Sequence, residues 1–309
     1  MLFRSLVVAT RGPAPVTALE AAMADVGRAL GSPVELVRPR VVGVLVLETP
    51  EAVVRVAVGP AAAEIDGAAD ALTALRAAEP AATVVDRLPT ILARGRSGLA
   101  EWSAERRLPG APASFPLEDW LLVDAVDFLV ELHAVGGGGE MPLAAQAETV
   151  ASVCGDEEAR ELRRLAAALM DELASLPLGF VHGDFWLRNL LVEGRRLVGV
   201  VDWDSGGPGR LPLVDLLQLL VVAREPLRPH DWGPAVVHRL LPWADAGGDD
   251  AGRTYCRRIG FEPDRRVLRA LVAAYWLDRL AYQLLRHPTR ARRPEWVQRS
   301  VSGVLRALT

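Results

Sequence analysis

The chain contains no lysine; all 35 of its basic side chains are arginine, so every cationic contact it makes through a basic side chain must come from a guanidinium. Its heavy use of Ala, Gly, Pro and Arg points to a GC-rich genome. The two cysteines, Cys154 and Cys256, have no metal spacing. They exclude a disulfide framework or a thiolate zinc site and suit a reduced, cytoplasmic protein. Half of the residues are hydrophobic, yet no uninterrupted apolar run approaches a membrane span. Met1 to Thr10 is too short and too soon interrupted for a secretory signal. His133, His230, His238 and His287 are scattered and form no metal set. No basic stripe interleaved with aromatics is present, which argues against nucleic acid as a partner.

Charge is unevenly placed. Residues 251–309 hold 13 arginines against Glu262, Asp264, Asp278 and Glu295, a net of +9; the whole chain is −4, so residues 1–250 carry −13. These arginines suit either solvated helix faces paired with the acidic part or an acceptor region for an anionic substrate.

Asparagine is also scarce. The single one, Asn189, lies in Val-His-Gly-Asp-Phe-Trp-Leu-Arg-Asn-Leu-Leu (Val181 to Leu191), five positions after Asp184. Asp202 follows thirteen residues later in Val-Val-Asp-Trp-Asp (Val200 to Asp204). Phosphoryl transfer needs this set: a carboxylate to orient the attacking hydroxyl, and an amide and a second carboxylate to hold Mg²⁺ against nucleotide phosphates. Asp184 is the candidate base, and Asn189 and Asp202 the candidate metal ligands. The spacing predicts a strand over Leu178–Val181, a tight loop over His182–Asn189, and a hairpin of Leu190–Val192 with Leu197–Val201 around Glu193 to Arg196. That hairpin returns Asp202 to the side of Asn189.

Upstream, periodicity predicts helices over Pro15–Leu30 and Ala61–Ala77 and strands near Val34–Val37, Val41–Leu47, Val53–Val58, Thr90–Ala93 and Leu99–Glu105. Downstream it predicts helices over Pro116–Ala134, Asp156–Ala174, Pro212–Val222, Pro234–Leu240, Asp264–Arg286 and Glu295–Ala307. The Pro/Gly segment Pro109–Ser114 separates the two regions, giving parts 1–108 and 109–309.

The segments His182 to Asn189, Asp202-Trp203-Asp204 and Gly207-x4-Pro212-x2-Asp215 resemble the aminoglycoside phosphotransferase and choline kinase family. Leu132-His133-Ala134 and Glu105 to Gly110 are similar to that family's Leu-His element and interlobe hinge. The resemblance implies an α+β, bilobal, protein-kinase-like fold, with a small antiparallel-sheet lobe over nucleotide and a larger, mostly helical lobe. It implies a kinase that moves the γ-phosphate of ATP, or GTP, with Mg²⁺ to a hydroxyl of a small molecule such as an antibiotic, biosynthetic intermediate or metabolite. A kinase for Ser/Thr in a peptide and a non-catalytic kinase-like binding module are the alternatives.

Arg55 occupies the place of the family's phosphate-binding lysine, with Glu64, Asp66 or Asp70 as candidate acid partners. The hinge, Glu105 to Arg107, would hold the purine through its backbone. Pro39 to Gly43, the covering loop, is not glycine-rich. His182 is expected to fix the loop, and Asp215 to anchor loop backbone groups. Asp204 is open to a second Mg²⁺ or to bracing. Phe185 and Trp186 are expected to wall the acceptor pocket or to pack in the core.

Overall fold

A computed structural model describes residues 14–31, 35–38, 44–58, 62–78, 81–136, 138–223, 227 and 231–308. The chain divides into two compact units: Met1–Ala111 with Asn189–Gly206, and Pro112–Arg188 with Gly207–Thr309. Segment 189–206 differs: the sequence puts it in the second part, whereas it belongs to the first unit. The cause is local. Val200 N donates to Arg87 O at 2.9 Å, and Gly199 lies against Leu108, where a Cβ would stand 2.8 Å from Leu108 Cδ1.

In the first unit, β1 (Glu35–Arg38), β2 (Val44–Glu48), β3 (Ala52–Val58), β4 (Ile91–Ser97) and β5 (Ala100–Arg106) form one sheet in the order β1-β2-β3-β5-β4. All its neighbours are antiparallel. Alternation directs Leu45, Leu47, Val54, Val56, Trp102 and Ala104 to one face, where they pack with Ala22 and Val26 of helix Ala14–Leu30. Full burial of Leu47, Val54 and Val56 contributes about 1.5–3 kcal/mol each. Helix Ala62–Ala77 also packs on β3 and β5, and its Arg76 donates to the carbonyls of Leu88 and Pro89. Hairpin Leu190–Glu193/Arg196–Val200 turns through Gly194, whose φ of 59° favours glycine. The expected covering loop, Pro39–Gly43, lies outside the described residues, as do Met1–Thr10 and His230.

The second unit is mainly helical. Helix Arg265–Arg286 begins at Asp264, which accepts from Val267 N at 2.9 Å, and is buried almost all round from Ala270 to Ala281. Helices Leu143–Ala151 and Asp156–Leu173 pack on it. The latter opens with Asp156, Glu157 and Glu158 at its positive end and buries Ala159, Leu162, Ala166, Leu169 and Leu173 at helical spacing. Strand Gly179–Val181 pairs with Gly207–Arg210 and packs on helix Asp119–Ala134. Leu143–Ala151 and Asp250–Arg258, each of nine residues, are the longest of the helices that were not foreseen among the described residues. The second buries only Gly252, Tyr255 and Cys256, so its apolar pattern is thin. Both cysteines are free, and burial pushes the thiols of Cys154 and Cys256 up to about 11 and about 12. No helix among the described residues is long and apolar enough to cross a membrane.

Candidate active site

The candidate residues fall into two groups, one in each unit. In the second unit, Asp215 opens helix Val214–Val221 and is buried. Its Oδ2 accepts from His182 N at 2.7 Å and its Oδ1 from Gly183 N at 2.8 Å. Gly183 takes a φ of 79°, which glycine adopts at little steric cost. His182 is fully buried, and its Nδ1 accepts from Asp184 N at 3.2 Å. Burial raises the Asp215 carboxyl, while His182, the two amides and Arg210 act in the opposite direction. The loop is therefore pinned on its inner side, and Asp184 emerges half-buried as its next residue.

Phe185 is fully buried and stacks on Phe128 at 5.9 Å, so packing is its role. Trp186 is half-buried, with the Arg188 guanidinium carbon 5.7 Å from its ring centroid. His133, from the Leu-His element, is buried, with Nε2 3.1 Å from Pro177 O. A Cβ at Gly179 would overlap its ring.

Sequence reasoning did not foresee Arg279. On helix Arg265–Arg286 it donates Nη2 to Asp184 Oδ1 at 2.8 Å and Nη1 to Gly183 O. Burial alone would lower the guanidinium's pKa; Asp184, with Tyr275, Tyr282 and Asp278, outweighs that and the net shift is upward. The available signal was an arginine in line with the apolar positions Leu268, Leu271, Val272, Tyr275 and Trp276.

In the first unit, Arg55 of β3 points away from buried Val54 and Val56. Its Nη1 lies 2.5 Å from Glu105 Oε1 and its Nη2 3.4 Å from Asp202 Oδ1. Burial acts to lower the guanidinium's pKa, but Glu105, Asp202 and Asp204 raise it overall. Asn189 is buried, and its carbonyl accepts from Val201 N at 2.9 Å, beside the residue that bears the second candidate ligand. Asp202 has a φ of 74°, a left-handed conformation that Asp tolerates better than most residues and that clusters at functional sites. Trp203 anchors the segment: it is buried, and its Nε1 donates to Val200 O at 2.8 Å. Ser205 Oγ donates to Asp204 Oδ1 at 3.2 Å.

One sequence expectation is corrected here. The acid partners of Arg55 are Glu105 and Asp202; of the expected candidates, Asp66 is exposed and Asp70 pairs with Arg94, while the side chain of Glu64 lies outside the described residues. Glu105 is a buried residue of β5, between β3 and β4, and directs its side chain to Arg55. Along the expected hinge, Arg106 N donates to Thr90 O and Arg107 N to Glu51 O, both at 2.8 Å, and the exposed Arg107 stands just past the strand end.

Among the described residues no group of three or more His, Cys, Asp or Glu is set for a metal. An amide oxygen and one carboxylate nevertheless match Mg²⁺, which takes one or two carboxylates and completes its shell with phosphate and water.

The solved structures similar in fold include three aminoglycoside phosphotransferases. Aminoglycoside phosphotransferase APH(3'')-Id from Streptomyces rimosus ATCC10970 shares 18% identity, over 85% of this chain and 98% of that one, with a TM-score of 0.57. The gentamicin complex of APH(2")-IIa shares 14%, over 91% and 94%, with a TM-score of 0.62. A thermostable mutant of aminoglycoside phosphotransferase APH(4)-Ia shares 17%, over 92% and 98%, with a TM-score of 0.51. No curated protein matches the chain. The profile of the phosphotransferase enzyme family matches residues 38–271, and the chain belongs to that family: it is a phosphotransferase with a protein-kinase-like fold.

Proposed function

We propose that the protein transfers the γ-phosphate of ATP, with Mg²⁺, to a hydroxyl of a small molecule. The observation that carries this reading is the pinned loop: Asp215 binds both amides that precede Asp184 and so fixes the direction in which Asp184 leaves the backbone. Asp184 would accept a hydrogen bond from the acceptor hydroxyl and align its oxygen with the phosphorus, a positioning role that needs no strong base. Asn189 and Asp202 would hold Mg²⁺, which when bound neutralises charge on the phosphate oxygens. Arg55, braced by Glu105, stands on the same unit to meet phosphate with its planar fork. ATP is the nucleotide favoured, because the similar structures include a streptomycin–ATP–APH(2")-IIa ternary complex and an APH(3'')-Id complex with ADP and streptomycin.

The test is an acceptor screen on the full chain with Mg-ATP and Mg-GTP, read by a mass gain of one phosphate and by nucleoside diphosphate release. Transfer to a hydroxyl compound from ATP, lost in Asp184→Ala, is the expected result. Undiminished transfer by Asp184→Ala would remove that residue from its role.

A further inference from the structure

The acceptor's chemical class follows from what surrounds Asp184 in the second unit. Arg279 is more than nine-tenths buried, bonds Asp184 and Gly183, and keeps a buried Nε without a hydrogen-bond partner. Its guanidinium carbon lies 4.5 Å from the ring centroid of Tyr282. That of Arg286 lies 5.2 Å from the same centroid, and Arg286 also donates to Tyr282 Oη. One turn beyond Arg286, half-buried Arg290 donates to the neutral Gln283 Oε1 at 2.6 Å.

From Arg279 to Arg293 the chain has five arginines and no carboxylate. Among the described residues, Arg290, Arg292 and Arg293 have no carboxylate within ion-pairing distance. These cations act on one another: burial, then Arg293 and Arg279, lower the Arg290 guanidinium's pKa, and burial, Arg290 and Arg286 lower the His287 imidazole's. Asp278, the neighbouring acid on the helix, is engaged by Arg210 and Gln146. Positive charge assembled around one carboxylate attracts an oxyanion and repels a cation.

On the phosphotransfer reading above, we propose that the acceptor is itself an anion: a hydroxyl compound whose carboxylate or phosphate group is bound by Arg290 and Arg286 while its hydroxyl meets Asp184. Aminoglycosides, which carry several ammonium groups, are the wrong sign for this surface. Arginine suits the task because its fork takes a carboxylate or phosphate in two hydrogen bonds.

The experiment is calorimetric titration of the full chain, preloaded with a non-hydrolysable Mg-nucleotide so that the nucleotide site is filled, at fixed ionic strength. The probes are citrate, inorganic phosphate and gentamicin. At least one oxyanion is expected to bind with a Kd in the millimolar range or below. Arg290→Ala should weaken it at least tenfold, Arg290→Lys, which keeps the charge and loses the fork, should weaken it less than Arg290→Ala, and gentamicin should give no heat of binding. Binding of gentamicin but neither oxyanion, no binding by any probe, or equal affinity in Arg290→Ala of intact melting temperature would each overturn the proposal. Failure of the phosphotransfer reading shows separately, as Mg-ATP that does not bind or is never turned over.

Discussion

Arg55 and Glu105 form a buried ion pair across neighbouring strands, with Nη1 and Oε1 2.5 Å apart and side chains 14% and 5% exposed. The pair sets the direction of the guanidinium, whose other nitrogen reaches Asp202 at 3.4 Å. Held by Glu105, the guanidinium is shared with a candidate metal ligand.

Removing Arg55 should therefore cost stability as well as nucleotide binding. Arg55→Ala leaves Glu105 buried and uncompensated, a loss of about 3–5 kcal/mol, and should raise the nucleotide KM. Arg55→Ala/Glu105→Gln should regain most of the stability but not the KM. Urea denaturation and steady-state kinetics read the two effects; stability losses that merely add would mean the pair is not coupled.

Asp202→Asn separates charge from backbone. Asn tolerates the left-handed conformation that Asp202 adopts, so the fold should persist. Nucleotide affinity should lose most of its dependence on Mg²⁺, and turnover should fall by about 100-fold or more, equivalent to roughly 2.7 kcal/mol. A Mg²⁺ titration identical to that of the wild type would contradict the assignment.

Asp215→Ala should destabilise the second unit by about 3 kcal/mol, because two buried amides lose charge-assisted bonds together. Asp215→Asn, with one acceptor oxygen, should fall between. Hydrogen exchange at His182 and Gly183 should accelerate in both; protection that stays at the wild-type level would mean other groups hold the loop.

His133 gives a pH dependence. Burial lowers its pKa, opposed by its bond to Pro177, so the native state favours the neutral ring. Below the unfolded value of about 6.5 the unfolded chain binds the proton more readily. Stability from this residue is thus present above that pH and is lost as pH falls toward the folded pKa. Denaturation between pH 7 and 5 should show this decline, with a shallower slope in His133→Gln; equal slopes would assign the decline elsewhere.

The sequence made the chemistry more legible than its supports. Asp184, Asn189 and Asp202 stand in an ordered motif, and the sheet strands and the hairpin announce themselves by alternation and turn residues. Arg279 is 95 residues from Asp184 and Glu105 is 50 from Arg55, and no local period encodes such pairings. Alternation places Glu105 in a strand, but it does not say that its side chain pairs with Arg55. Helix Asp250–Arg258 was missed because a nine-residue helix with three buried positions carries little periodic signal.

Turnover and nucleotide affinity, measured on one preparation of Asp184→Ala beside the wild type, test the central assignment most directly. The variant should bind Mg-ATP within a few-fold of the wild type and yet transfer phosphate at least about 1,000-fold more slowly, roughly 4 kcal/mol of lost transition-state alignment. A rate near that of the wild type, or loss of nucleotide binding in step with rate, would contradict a hydroxyl-orienting Asp184.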